Sequence, residues 1–186
     1  MMKKLFNPFV YVAGTQALLL GLVFVALTTG LGYLNNSHFN GVLDYHKPPE
    51  LLGKSILYSA GEQLIIIGCL TGLFYAAGLI FSKSAIRFID VAGTMTLSRA
   101  PMLLSAIGGF AMPKSLGSIA DITMPVILLS LAVILWTIWS IALAYNAFSV
   151  SCNIKGRRCT TVFIPTLIIA EAASILLCSL LYKSYL

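Results

Sequence analysis

The chain has 186 residues, of which 59% are hydrophobic and 10% are charged, and its mean hydropathy is +0.94. Soluble domains carry about 25% charged residues, so this composition excludes a soluble fold of this size. The net charge of +6 does not indicate nucleic-acid binding in so apolar a chain, because Lys and Arg then mark cytoplasmic loops and contact anionic lipid headgroups.

Apolar runs long enough to cross a bilayer recur along the chain, and about 20 such residues are needed for each crossing. They predict an all-α polytopic membrane protein, a bundle of five transmembrane helices that forms a single domain over 1–186. The predicted spans are approximately 9–33, 56–81, 86–110, 122–148 and 160–182. In the first span, Ala13, Ala17 and Gly21 form a ridge of small residues, which lets a neighbouring helix approach closely.

The longest polar segment, 34–55, connects the first two spans. It contains three side chains that can bind metals, His38, Asp44 and His46. Their spacing fits neither the H-E-x-x-H motif nor a zinc finger, so we expect a solvated loop and no cofactor. Whether these three residues bind a metal stays open at this stage.

The second span carries a further ridge of small residues, Gly68, Gly72 and Ala76. Such a ridge indicates close helix packing, either within the chain or, as the alternative, in a homodimer. Glu62 lies near the start of this span, where the helix N-terminus favours a negative charge.

The third span is predicted to be a broken helix, with Gly93 and Pro101 as the residues that break it. Arg99 lies near its middle and Asp90 near its start. A charge and a helix breaker at membrane depth are tolerated only where protein or water surrounds them, so we expect the other spans to pack around this one.

The fifth span supplies a possible partner for Arg99. Both spans are predicted to enter from the same side, and at about 1.5 Å per residue Arg99 and Glu171 reach similar depths. We therefore predict a buried ion pair between Arg99 and Glu171, with Asp90 pairing locally to Arg87. In the alternative, Arg99 binds carbonyls freed by Pro101, and Glu171 is protonated.

The distribution of cations predicts the orientation, because cytoplasmic segments are enriched in Lys and Arg. An N-terminus in the cytoplasm and a C-terminus outside would give seven cations inside against four outside. The inner set includes Lys155, Arg157 and Arg158, which we expect to contact anionic lipid. The complete sets are Lys3, Lys4, Lys83, Arg87, Lys155, Arg157 and Arg158 inside, and Lys47, Lys54, Lys114 and Lys183 outside.

Several segments resemble the Yip family, the Ypt/Rab-interacting membrane proteins, and especially its shorter bacterial members. The similar segments are Asn7-Pro8-Phe9, the run from Asp90 through Gly93 to Pro101, the run from Trp139 to Ala147, and the turn Lys155-Gly156-Arg157-Arg158. The resemblance implies five transmembrane helices with a cytoplasmic N-terminus. It further implies residence in a bacterial cytoplasmic membrane and a role in membrane organisation or partner binding.

Three classes of function compete. The first is a non-enzymatic membrane scaffold whose partners are the bilayer and a second copy or other membrane proteins. The second is a transporter or channel for a small solute, ion or lipid, since broken helices and mid-membrane charges mark such proteins. The third, an intramembrane enzyme, is disfavoured because the sequence lacks the spaced Ser, His and Asp motifs of such catalysts.

Overall fold

The computed structural model describes residues 5–47, 55–113 and 122–183. Within these residues the fold is helical, and the nearest approach to a strand is one antiparallel bridge between His38 and His46. A short 3-10 helix, Pro8–Val10, precedes the α-helices. These are α1 (Gly14–Asn35), α2 (Ile56–Phe81), α3 (Phe88–Ser98), α4 (Met102–Gly108), α5 (Met124–Ser151) and α6 (Gly156–Lys183).

Local sequence signals explain where the long helices begin and end. Gly14 has a φ of +56°, which lets the chain turn from the 3-10 helix into α1. Asn36 ends α1 in the left-handed conformation, and its N–H donates to carbonyls of the last turn. The hydroxyl of Ser55 caps α2 by accepting from the Leu57 N–H. Pro125 lies in the first turn of α5, where its missing N–H costs nothing.

The predicted third span divides into α3 and α4 at Arg99–Pro101. Pro101 explains the break, since it lacks the N–H that would continue the helix. The Ser98 carbonyl next to the break accepts a hydrogen bond of 3.0 Å from the hydroxyl of Ser140 on α5. Gly93, by contrast, lies inside α3 and does not break it, so that part of the prediction is wrong.

Helix α3 is the centre of the molecule, because every residue from Val91 to Arg99 is buried. This complete burial is possible because α1 approaches α3 closely. A Cβ on Gly21 would lie 2.7 Å from the Leu97 nitrogen, and one on Gly93 would collide with the Gly14 carbonyl oxygen. Of the ridge predicted in the first span, Ala17 and Gly21 pack against α3, whereas Ala13 precedes α1 and is exposed.

Four helices, α1, α2, α5 and α6, are long and apolar enough to cross a membrane. Their outward faces expose large hydrophobic side chains, for example Leu57, Leu64 and Leu128, at 63–71% of their full accessibility. An apolar surface this extensive marks a membrane-facing protein. The fifth crossing stays a prediction, since α3 and α4 have 11 and 7 residues and neither alone could span a bilayer.

The helices alternate between two ends of the bundle. At the N-terminal end, the Asn146 side chain donates to the Phe6 carbonyl and that of Asn153 donates to Ser84. At the opposite end, the Lys47 ammonium donates to the Gly109 carbonyl over 2.7 Å. Because α3 begins near the first end and α4 finishes at the second, the broken helix traverses the bundle.

Candidate functional site

The segment 36–47, here called the core loop, folds into the opposite end of the bundle. Its backbone pairs across the bridge of His38 and His46, with N–H to carbonyl distances of 2.9 and 3.1 Å. Phe39 and Val42 are buried at 2% and 4% exposure, and His38 at 3%. The expectation of a solvated loop is therefore wrong for 36–47, because this part carries apolar side chains that the bundle covers, while 48–54 lie outside the described residues.

Glu62 holds the start of the core loop. Its carboxylate is fully buried, six residues inside α2, and it accepts three hydrogen bonds. Oε1 lies 2.6 Å from His38 Nδ1 and 2.6 Å from the Tyr182 hydroxyl, and Oε2 accepts from the Phe39 N–H at 3.1 Å. A buried carboxylate needs such donors, since an unpaired one would cost several kcal/mol.

Tyr182 joins the last turn of α6 to this arrangement. Its ring stacks on that of Tyr58, with the centroids 5.5 Å apart and the planes at 9°. The Tyr58 hydroxyl in turn donates to the Leu181 carbonyl over 3.2 Å. The two rings thereby fix the end of α6 against the start of α2, where Glu62 binds the loop.

Arg99 holds the middle of the core loop from the break between α3 and α4. The side chain is 4% exposed, and Nη1 donates to the Val42 carbonyl at 2.5 Å. Its second terminal nitrogen, Nη2, has no hydrogen-bond partner among the described residues. The guanidinium is thus only partly satisfied by the surrounding protein.

Glu171 binds the same stretch of loop from α6. Its Oε2 accepts from the Leu43 N–H at 2.8 Å, and the neighbouring Ser174 hydroxyl accepts from the Val42 N–H at 3.2 Å. Gly41 lets the carboxylate come this close, because a Cβ there would lie 2.5 Å from Glu171 Oε1.

Arg99 and Glu171 therefore act on one peptide group. The Val42 carbonyl and the Leu43 N–H belong to the same peptide bond, with the cation on its oxygen and the carboxylate on its hydrogen. The predicted direct ion pair is absent from the ion pairs of the described residues. Instead, the two charges contact opposite ends of one peptide group, so each charge has a main-chain hydrogen-bond partner.

Asp90 lies apart from this core. It forms an ion pair with Arg87, three residues earlier, with Nε and Oδ2 at 2.7 Å, as predicted. The arginine is largely exposed, so the pair contributes little to stability. Asp90 is thus a residue of the N-terminal end and not part of the buried polar core.

The small-residue ridge of α2 does not pack within the chain. Gly68, Gly72 and Ala76 are exposed, and a Cβ on either glycine would meet nothing within 4 Å. The expectation of close packing is therefore wrong for the single chain. The neighbouring face of α2 makes the contacts instead, with Ile66, Leu70 and Phe74 almost fully buried. A contact with a second copy stays a prediction.

Lys155, Arg157 and Arg158 are exposed at the N-terminal end, around the start of α6. Their exposure permits contact with lipid headgroups, which stays a prediction.

His46 Nδ1 lies 3.0 Å from Asp44 Oδ2, and His38 Nδ1 lies 2.6 Å from Glu62 Oε1. No group of three or more metal-binding side chains forms in the described part of the chain.

The sequence reasoning missed the roles of Glu62, His38 and Tyr182. One signal was available, since a carboxylate six residues into an apolar span at membrane depth usually has a partner. The identity of that partner was hidden, because His38 and Tyr182 lie 24 and 120 residues away in sequence.

No protein-family model, curated protein or solved structure matches this chain.

Proposed function

We propose that this protein is a five-span integral membrane protein of Yip type that works as a non-enzymatic scaffold, organising the membrane by binding other membrane-spanning segments. The observation that supports this most is how two buried charges, Glu62 and Arg99, and the half-buried Glu171 are used. Glu62, Arg99 and Glu171 all bind the main chain of the core loop. Charges engaged in this way stabilise an architecture, whereas a catalyst must present its groups to a substrate.

A scaffold also needs a surface for its partner. The exposed Gly68, Gly72 and Ala76 give α2 a flat strip on its outward face, and small residues let two transmembrane helices approach closely. The partner is then another transmembrane helix, from a second copy or from a different membrane protein.

Photo-crosslinking in intact membranes tests this function. A photoreactive amino acid at Gly72 should give a discrete crosslinked product, while the same group at the equally outward Leu128 of α5 should label only lipid. Equal, diffuse labelling at both positions would contradict the scaffold.

A transporter is the second candidate, and one observation favours it. Arg99 is a buried cation beside a broken helix, and its Nη2 has no partner among the described residues. The protein reconstituted in vesicles, compared with the Arg99→Met variant, would decide between the two. Flux that depends on Arg99 would establish transport, and its absence for anions and cations alike would favour the scaffold.

A further inference from the structure

An apolar cleft opens beside the helix break, and none of the residues that line it belongs to the core loop. Its volume is about 380 Å³. One wall is α1, with Leu20 and Phe24, and another is the break itself, with Ala100 and Pro101. Trp139 of α5 and the N-terminal segment close the remaining sides.

The chemistry of the cleft excludes a polar ligand. The side chains around it are apolar, and the indole of Trp139 already donates its N–H to the Leu5 carbonyl at 3.4 Å. A polar group placed here would lose its hydrogen bonds to water without replacement. A hydrocarbon chain would instead gain dispersion contacts with every wall.

The depth that the lining residues reach matches one leaflet of a bilayer. It extends from the N-terminal segment, at Pro8 and Val12, to Phe24 on α1. Ten residues of helix separate Gly14 from Phe24, which is a rise of about 15 Å. A hydrocarbon core about 30 Å thick has leaflets of about half that depth.

The charge at the N-terminal end of the bundle favours an anionic headgroup. The N-terminal end of the bundle carries five cations in the described residues, namely Lys83, Arg87, Lys155, Arg157 and Arg158. The acidic side chain among them, Asp90, is already paired with Arg87. An anionic headgroup at this level would therefore find complementary charge.

We infer that this cleft is a binding site for one acyl chain of an anionic phospholipid from the leaflet at the N-terminal end. The N-terminal segment covers the acyl chain, and Ala100 and Pro101 at the helix break form one wall of the site. This inference requires membrane insertion but neither scaffolding nor transport, so its failure would leave the proposed function untouched.

Quenching of Trp139 fluorescence by brominated lipid tests the site. The full chain with Trp136→Phe, which leaves Trp139 as the single indole, is placed in phosphatidylcholine vesicles. Increasing fractions of phosphatidylglycerol with brominated acyl chains are then introduced. Quenching should saturate at a low fraction of the anionic lipid, whereas brominated phosphatidylcholine should quench only in proportion to its abundance. Equal, proportional quenching by both lipids would overturn the inference.

A variant that fills the cleft provides the second arm. Ala100→Phe should abolish the saturable quenching, while Ala26→Phe, on the outward face of α1, should preserve it. Saturable quenching that survives Ala100→Phe in a folded protein would place the lipid elsewhere and contradict the site. If Ala100→Phe fails to fold, the comparison of the two lipids on the parent protein decides by itself.

Discussion

Arg99 and Glu171 are stabilised by main-chain groups rather than by each other. A membrane interior offers no water, so each charge must find its partner within the protein. The peptide between Val42 and Leu43 offers an acceptor to Arg99 and a donor to Glu171 at once. This arrangement also ties α6 and the helix break to the core loop, which a direct ion pair would not.

We expect Arg99→Met and Glu171→Ala each to lower the free energy of unfolding by about 1–3 kcal/mol, the cost of leaving a buried group unpaired. The double variant should cost less than the sum, because both residues act on one peptide. Thermal and denaturant unfolding in mild detergent would measure this. Glu171→Gln is the control, since its amide oxygen can still accept from Leu43; strictly additive losses would contradict the shared peptide.

Glu62 should matter more than either of these residues. Glu62→Ala removes the acceptor from three donors, so we expect a larger loss of stability than in Tyr182→Phe, which removes one. Limited proteolysis should also cut the core loop faster in Glu62→Ala. Equal protection of the loop in both variants would show that Glu62 does not hold it.

At the scale of elements, the glycines separate into two kinds. Gly21 and Gly93 lie where α1 and α3 touch, and a Cβ on either would meet main-chain atoms of the other helix. Gly68 and Gly72 on α2 have the same four-residue spacing as Ala17 and Gly21 on α1, but they face outward into open space. A spacing of four residues indicates that close packing is possible, and only the neighbouring helix decides whether it occurs.

The two kinds of glycine predict opposite mutational effects. Gly93→Ala should destabilise the fold by about 1–3 kcal/mol, because α1 and α3 must move apart. Gly72→Leu should change the unfolding of the monomer by no more than about 0.5 kcal/mol, as is usual for an open surface position. Melting temperatures in monodisperse detergent micelles would measure both. A large loss for Gly72→Leu in the monomer would contradict this packing.

In the whole molecule, the two ends of the bundle differ in charge and in whether a loop closes them. The N-terminal end carries the exposed basic residues Lys155, Arg157 and Arg158, and the opposite end is closed by the core loop. The cation bias predicts that the basic end faces the cytoplasm and that the C-terminus, which lies outside the described residues, is external.

Cysteine accessibility would test this orientation. A membrane-impermeant maleimide added to intact cells should label Ala111→Cys but not Lys155→Cys, and both positions are exposed. The native Cys152 lies close to Lys155 and should likewise stay unlabelled in intact cells. In opened membranes it should react slowly at neutral pH, because burial raises the pKa of its thiol to about 11 and the thiolate is the reactive form. Its labelling in opened membranes should rise as the pH approaches that value. Reporter fusions at Cys159 and Leu186 give an independent check, and an active exported-only reporter at Cys159 would refute the model of topology.

The sequence by itself determined the class of this protein and most of its helices. Hydropathy depends on local composition, so α2 was predicted at its observed bounds of 56–81, and the break at Pro101 followed from the missing N–H. The tertiary structure alone decided the partners of the buried charges. Those partners are main-chain groups of a loop 57 residues before Arg99 and 128 before Glu171, and no local pattern encodes so distant a contact.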